Sequence, residues 1–156
     1  MSKIFLSITN EVTSIDWIAH LTKKIKEQYE WSKLPVEPDS YITISDAQNS
    51  SLYCSGNILV LGQGCINTKI HAGGSLKVNG IIRGGEVYGR AGVEINQAGS
   101  ESGTPTFISV PSDQKITINK VMEGTTIRIG NVKFKFLETT YRVNAHLDKN
   151  EQIVFA

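Results

Sequence analysis

The chain has 156 residues, enough for one domain with a single buried core. Its 16 Lys and Arg stand against 15 Asp and Glu, and a formal charge of +1 argues against nucleic acid or an anionic membrane surface as partner. No apolar run approaches the roughly 20 residues a membrane span needs, and Ile4-Phe5-Leu6 is too short for a signal-peptide core, so the expectation is a cytoplasmic protein.

From Thr13 to Tyr29 the apolar residues Ile15, Ile18, Ile25 and Tyr29 recur at helical spacing, with Lys23, Lys24, Lys26 and Glu27 between them. The pattern predicts an amphipathic helix, capped by Thr13 or Ser14. Leu34-Pro35-Val36-Glu37-Pro38 stops it, because proline lacks an amide donor and restricts the residue before it. Residues 32–39 read as a linker, and 1–39 as a helical cap and linker for the remainder of the chain.

Beyond residue 40 the period changes. Ile42 and Ile44, Ile58 and Val60, Leu76 and Val78, and Val93 and Ile95 are alternating pairs that recur at offsets of 16, 18 and 17. A second column, Leu52 and Cys54, Ile70 and Ala72, Val87 and Gly89, runs beside the first at offsets of 18 and 17. Two columns sharing one period predict stacked coils, in which each turn of chain is stabilised by the turns above and below. Twelve of the 14 glycines lie between Gly56 and Gly103, which suits the tight corners of such a winding and leaves no room for helices. The prediction is a mainly β protein, a short right-handed parallel β-helix over 40–110.

The stretch from Lys115 to Phe155 alternates again in Ile116-Thr117-Ile118, Ile127-Arg128-Ile129, Val132-Lys133-Phe134-Lys135-Phe136, Tyr141-Arg142-Val143 and Ile153-Val154-Phe155. Gly130-Asn131 reads as a hairpin turn. Residues 111–156 are expected to form an antiparallel β-element closing one end, the whole being one compact unit with the helix closing the other.

Four segments in order carry a family resemblance: Gly62-Gln63-Gly64-Cys65-Ile66-Asn67, Ile82-Arg83-Gly84-Gly85-Glu86-Val87, Gly99-Ser100-Glu101-Ser102-Gly103-Thr104 and Glu123-Gly124-Thr125-Thr126-Ile127-Arg128-Ile129-Gly130. Together they resemble the flagellar assembly protein A family over about residues 40–156. The resemblance implies a right-handed β-solenoid, similar in kind to bactofilins and to the C-terminal domain of the division inhibitor MinC, with no assigned catalytic residues. Members are usually several times longer and often carry a coiled coil before the closing strands, where here Val110-Pro111-Ser112-Asp113 passes directly into Lys115-Ile116.

An enzyme needs a constellation of reactive groups, and His20, His71 and His146 fall in three separate elements without an i+4 partner or a carboxylate cluster. No G-x-S-x-G elbow occurs, and the glycine pairs are followed by strands, not by the helix a phosphate-binding loop requires. Cys54 and Cys65 lack the spacing of a zinc site and read as reduced thiols. The expectation is a protein without catalysis, cofactor or metal.

One outward feature stands out. Tyr53, His71 and Tyr88 fall at offsets of 18 and 17, so their rings should form a ladder up one face, with Lys69, Arg83 and Arg90 nearby. Such a ladder either docks a partner or merely stabilises the sheet by about 0.2–1 kcal/mol per pair. The function expected is a scaffold binding protein partners or further copies of itself, a homo-oligomer included. The alternative is a module for a small carbohydrate or nucleotide ligand.

Overall fold

The computed structural model describes residues 40–156, all of whose regular structure is β. The predicted helix at 13–29 and the linker at 32–39 lie outside the described residues. Among the described residues no helix is long and apolar enough to cross a membrane.

The chain winds as a β-solenoid of five coils. The first is β1 (Tyr41–Gln48) with β2 (Ser51–Cys54), the second β3 (Asn57–Ala72) and the third β4 (Leu76–Gly89). The fourth is β5 (Val93–Ala98) with β6 (Thr106–Val110), and the fifth β7 (Ile116–Val121) with β8 (Thr125–Ile129). Each coil pairs in parallel with the next. β9 (Val132–Lys135) then lies antiparallel on β8, β10 (Thr140–Leu147) antiparallel on β7, and β11 (Ile153–Phe155) antiparallel on β10.

The register follows the repeat seen in the sequence. Ile58 and Val60 stand against Ile42 and Ile44 on one side and Leu76 and Val78 on the other, and the column continues through Val93 and Ile95. Leu52 and Cys54 lead likewise through Ile70 and Ala72 to Val87 and Gly89. Rungs in the middle coils are buried, while Ile42, Ile44, Leu52 and Cys54 of the first coil pack on the core only in part. Burying each Leu, Ile or Val contributes roughly 1.5–3 kcal/mol relative to exposure, against the entropy of ordering the chain.

A third column escaped the spacing argument: Ala47, Cys65, Ile82, Ala98 and Val121 stack through all five coils. It lies between a bulge and a corner. The bulge shifts the register between Val60 and Gly64, and a Cβ on Gly64, whose φ is 124°, would fall on the backbone of Ile81. Asp46 holds that bend by accepting hydrogen bonds from the amides of Gln63 and Gly64, with Ser45 Oγ donating to its other oxygen at 2.8 Å. At the corner Asn49 and Asn67 adopt φ of 50° and 48°, and Asn67 Nδ2 donates to Asn49 Oδ1 at 2.8 Å. Asparagine tolerates this left-handed conformation because its side chain bonds locally.

The stack does not stop at residue 110. Ile116 and Ile118 continue the first column in parallel on Val93 and Ile95, and Ile127 and Ile129 continue the second on Ile108 and Val110. These two runs therefore belong to the solenoid and not to an antiparallel element. Loops 99–105 and 111–115 lengthen the interval to 21 residues between Val87 and Ile108 and to 23 between Val93 and Ile116, which hides the period. Gly130-Asn131 joins β8 to β9 in a two-residue turn, with Ile129 opposite Val132.

Leu76 is 1% exposed between Ile58 and Val93. Leu76→Ala should lower unfolding free energy by about 2–5 kcal/mol in urea titration, through lost burial and the cavity left behind. Leu76→Asp should abolish the cooperative transition altogether, since the carboxylate would have no partner between two apolar layers.

Candidate functional site

Outward residues obey the same register as inward ones. Tyr53 stands opposite His71, His71 opposite Tyr88, Tyr88 opposite Ser109, Ser109 opposite Arg128 and Arg128 opposite Lys133. The ring centroids of Tyr53 and His71 are 6.2 Å apart and those of His71 and Tyr88 4.8 Å, both pairs tilted by 31°. At 4.8 Å and a 31° tilt the His71 and Tyr88 rings are in direct contact.

A parallel column two residues away runs Lys69, Glu86, Phe107, Thr126 and Lys135. Lys69 Nζ lies 3.8 Å from Glu86 Oε2, an exposed pair of little energetic consequence. The Phe107 ring carries the Arg128 guanidinium 5.5 Å from its centroid and the Lys133 ammonium 5.8 Å from it. Phe107, Arg128, Lys133 and Lys135 were not legible as neighbours of the ladder, because the long 99–105 loop displaces Phe107 from the repeat. Counting alternation backward from Ile108 and Val110 would have found Phe107, but not the residues of β8 and β9.

Half-burial of His71 holds its imidazole below the ordinary value of 6.5, and the Lys69 and Arg90 cations push it further down. Burial likewise raises the Tyr88 phenol, with Arg90 and Arg128 pulling against that shift and Asp113 adding to it. Lys69 and Arg90 thus lie close enough to His71 to act on its charge. Arg83 does not stand with them: it pairs with Ile66, before the Gly84-Gly85 corner, whose φ values of 73° and 86° turn the chain onto the next face. There it lines a groove of about 420 Å³ with Asp46, Gln48, Gln63 and Ile66.

A second groove of about 540 Å³ crosses the outer face of β4, β5, β7 and β10. Polar side chains project along it: Asn119 Nδ2 donates to Asn96 Oδ1 at 3.3 Å, and Lys77 lies 3.3 Å from Glu94, with Asn79, Thr117 and Asn144 beside them and Val78, Ile95, Ile118 and Val143 between. No aromatic ring lines it.

Among the described residues no group of three or more His, Cys, Asp and Glu is placed to hold a metal ion. Both cysteines are free, and burial raises the Cys65 thiol above its ordinary value, which disfavours its thiolate. Compared with protein-family models, with curated proteins and with solved structures, the chain matches none.

The lowered His71 pKa carries a sign for stability. Below 6.5 the unfolded chain takes up a proton at His71 before the folded chain does, so this contribution is present above pH 6.5 and is lost as pH falls toward the folded value. Between about pH 7 and pH 5 the melting temperature should decline, and His71→Gln should flatten that decline when the two profiles are compared by circular dichroism.

Proposed function

We propose that this chain is a non-enzymatic scaffold whose solenoid presents a rigid face to protein partners or to further copies of itself. The observation that supports this reading is the Tyr53–His71–Tyr88 ladder, whose rings are held in register across three coils by the backbone ladders beneath them. A surface built on parallel strands loses little entropy on binding, since its side chains are already ordered by their neighbours. Aromatic and arginine side chains are also those that dominate protein interfaces.

On this reading the winding is right-handed, as parallel strand crossovers almost always are. The antiparallel strands β9 to β11 act as the closing layer at one end, where Phe134, Phe136 and Phe155 cluster with centroids 5.0–6.0 Å apart. A place in the flagellar assembly protein A family and a cytoplasmic role in flagellar or cell-surface regulation belong to the same proposal. They rest on the four glycine-containing segments that begin at Gly62, Ile82, Gly99 and Glu123.

The polar groove over β4, β5, β7 and β10 favours a second reading, a binding site for a small hydroxyl-rich ligand such as a carbohydrate. Its amides and hydroxyls offer donors and acceptors in rows. A thermal-shift screen with oligosaccharides and nucleotides separates the two readings: a single stabilising class in a monomer favours the groove.

Tyr53→Ala with Tyr88→Ala removes the outer rings and leaves the apolar columns intact. The double variant should keep its circular dichroism spectrum and lose about 0.2–1 kcal/mol of stability per broken pair. Concentration-dependent light scattering and partner capture should both fall. Unchanged association by a folded double variant would refute the ladder as the docking surface.

A further inference from the structure

The chain as a whole is nearly neutral, yet its charges are not evenly spread over the solenoid. Lys69, Arg128, Lys133 and Lys135 project from the two outward columns that contain the ladder, and Arg90 acts on His71 and Tyr88 from beside it. Against these five cations stand Glu86, paired with Lys69, and Asp113. The groove over β4, β5, β7 and β10 behaves differently, for there Lys77 is matched by Glu94 and Arg142 alone adds a further charge to the lining.

Most of the aromatic rings on the basic face are already engaged by a neighbour, Tyr53 at the end of the ladder being the most open. His71 and Tyr88 are in contact at 4.8 Å, and the Phe107 face is occupied by Arg128 and Lys133. A nucleobase or a sugar ring needs an open aromatic face on which to stack. What this surface turns outward is ammonium and guanidinium groups, those of Lys69, Lys133, Lys135 and Arg90 being exposed. Both attract carboxylates.

The spread of the cations sets the size of the occupant. From Lys69 on β3 to Lys135 on β9 there are four strand spacings, or about 19 Å, which no small dicarboxylate spans. An extended polypeptide covers that distance in about six residues. We infer that this face binds an extended acidic segment of a partner protein, rich in Asp and Glu, laid across the coils from β3 to β9. The inference rests on the scaffold reading and names the chemistry of its partner.

Fluorescence anisotropy tests it with three labelled probes on the intact chain: a peptide of about ten residues alternating Glu and Ser, the same peptide with Gln for Glu, and an oligo-dT of about ten nucleotides. The Glu peptide should bind at least about tenfold more tightly than either of the others, and its affinity should fall between about 50 and about 200 mM salt. Lys133→Gln with Lys135→Gln, both exposed and outside the core, should weaken the Glu peptide at least about fivefold while the variant stays folded, with only the small stability loss of the Lys133–Phe107 contact. Equal binding of the Gln peptide, tighter binding of oligo-dT, or indifference to the lysine substitutions would each overturn the inference. If the tyrosine double variant loses self-association while no acidic peptide binds, the acidic partner falls and the scaffold stands. Acidic-peptide binding with unaltered association in that variant removes the ladder from docking and leaves the cations as the site.

Discussion

Everything in this molecule depends on the register between successive coils. A parallel ladder sets each residue directly over its counterpart one turn earlier, and a slip of one residue would send the whole apolar set to the outer face. Leu76 is held between Ile58 and Val93 by that constraint, and so is His71 between Tyr53 and Tyr88. Core and candidate surface are therefore two sides of one ladder, and neither can be altered in register without the other.

The corners keep that register while the chain changes direction. Asp46 fastens the bulge before Gly64, and the Asn49–Asn67 pair supports the next turn. Inside the following corner the hydroxyls of Thr68, Thr106 and Thr125 are buried yet satisfied by backbone groups, Thr106 Oγ1 accepting from the Gly84 amide at 2.8 Å. A Cβ on Gly85, which stands between Thr68 and Thr106 in that stack, would fall on the Thr68 carbonyl. Turns that satisfy their own polar groups let the loops at 99–105 and 111–115 grow outward without disturbing the rungs.

Stacking also concentrates charge that composition averages away. Residues far apart in sequence, such as Phe107 and Lys133, become neighbours, and Lys69 joins the same sheet face two strands from Phe107, because each occupies an outward rung. The same proximity acts on His71, whose burial and flanking cations lower its pKa where it lies against Tyr88. A formal charge of +1 is thus compatible with a strongly basic strip.

The amino-acid sequence alone determined the rungs of the first four coils on one face, the ladder of Tyr53, His71 and Tyr88, and the turn at Gly130-Asn131, because alternation and a near-constant interval are local properties of the chain. It could not disclose the third column at Ala47, Cys65 and Ile82, where single apolar residues between a bulge and a corner make no alternating pair. Nor could it disclose that Ile116 and Ile127 extend the stack, or that Arg83 turns away from the ladder while Phe107 and Arg128 join it. Those placements were decided by the tertiary fold, since loop lengths and left-handed corners set which face a residue reaches, and hydrogen bonding between distant strands selects among the registers that local pattern leaves open.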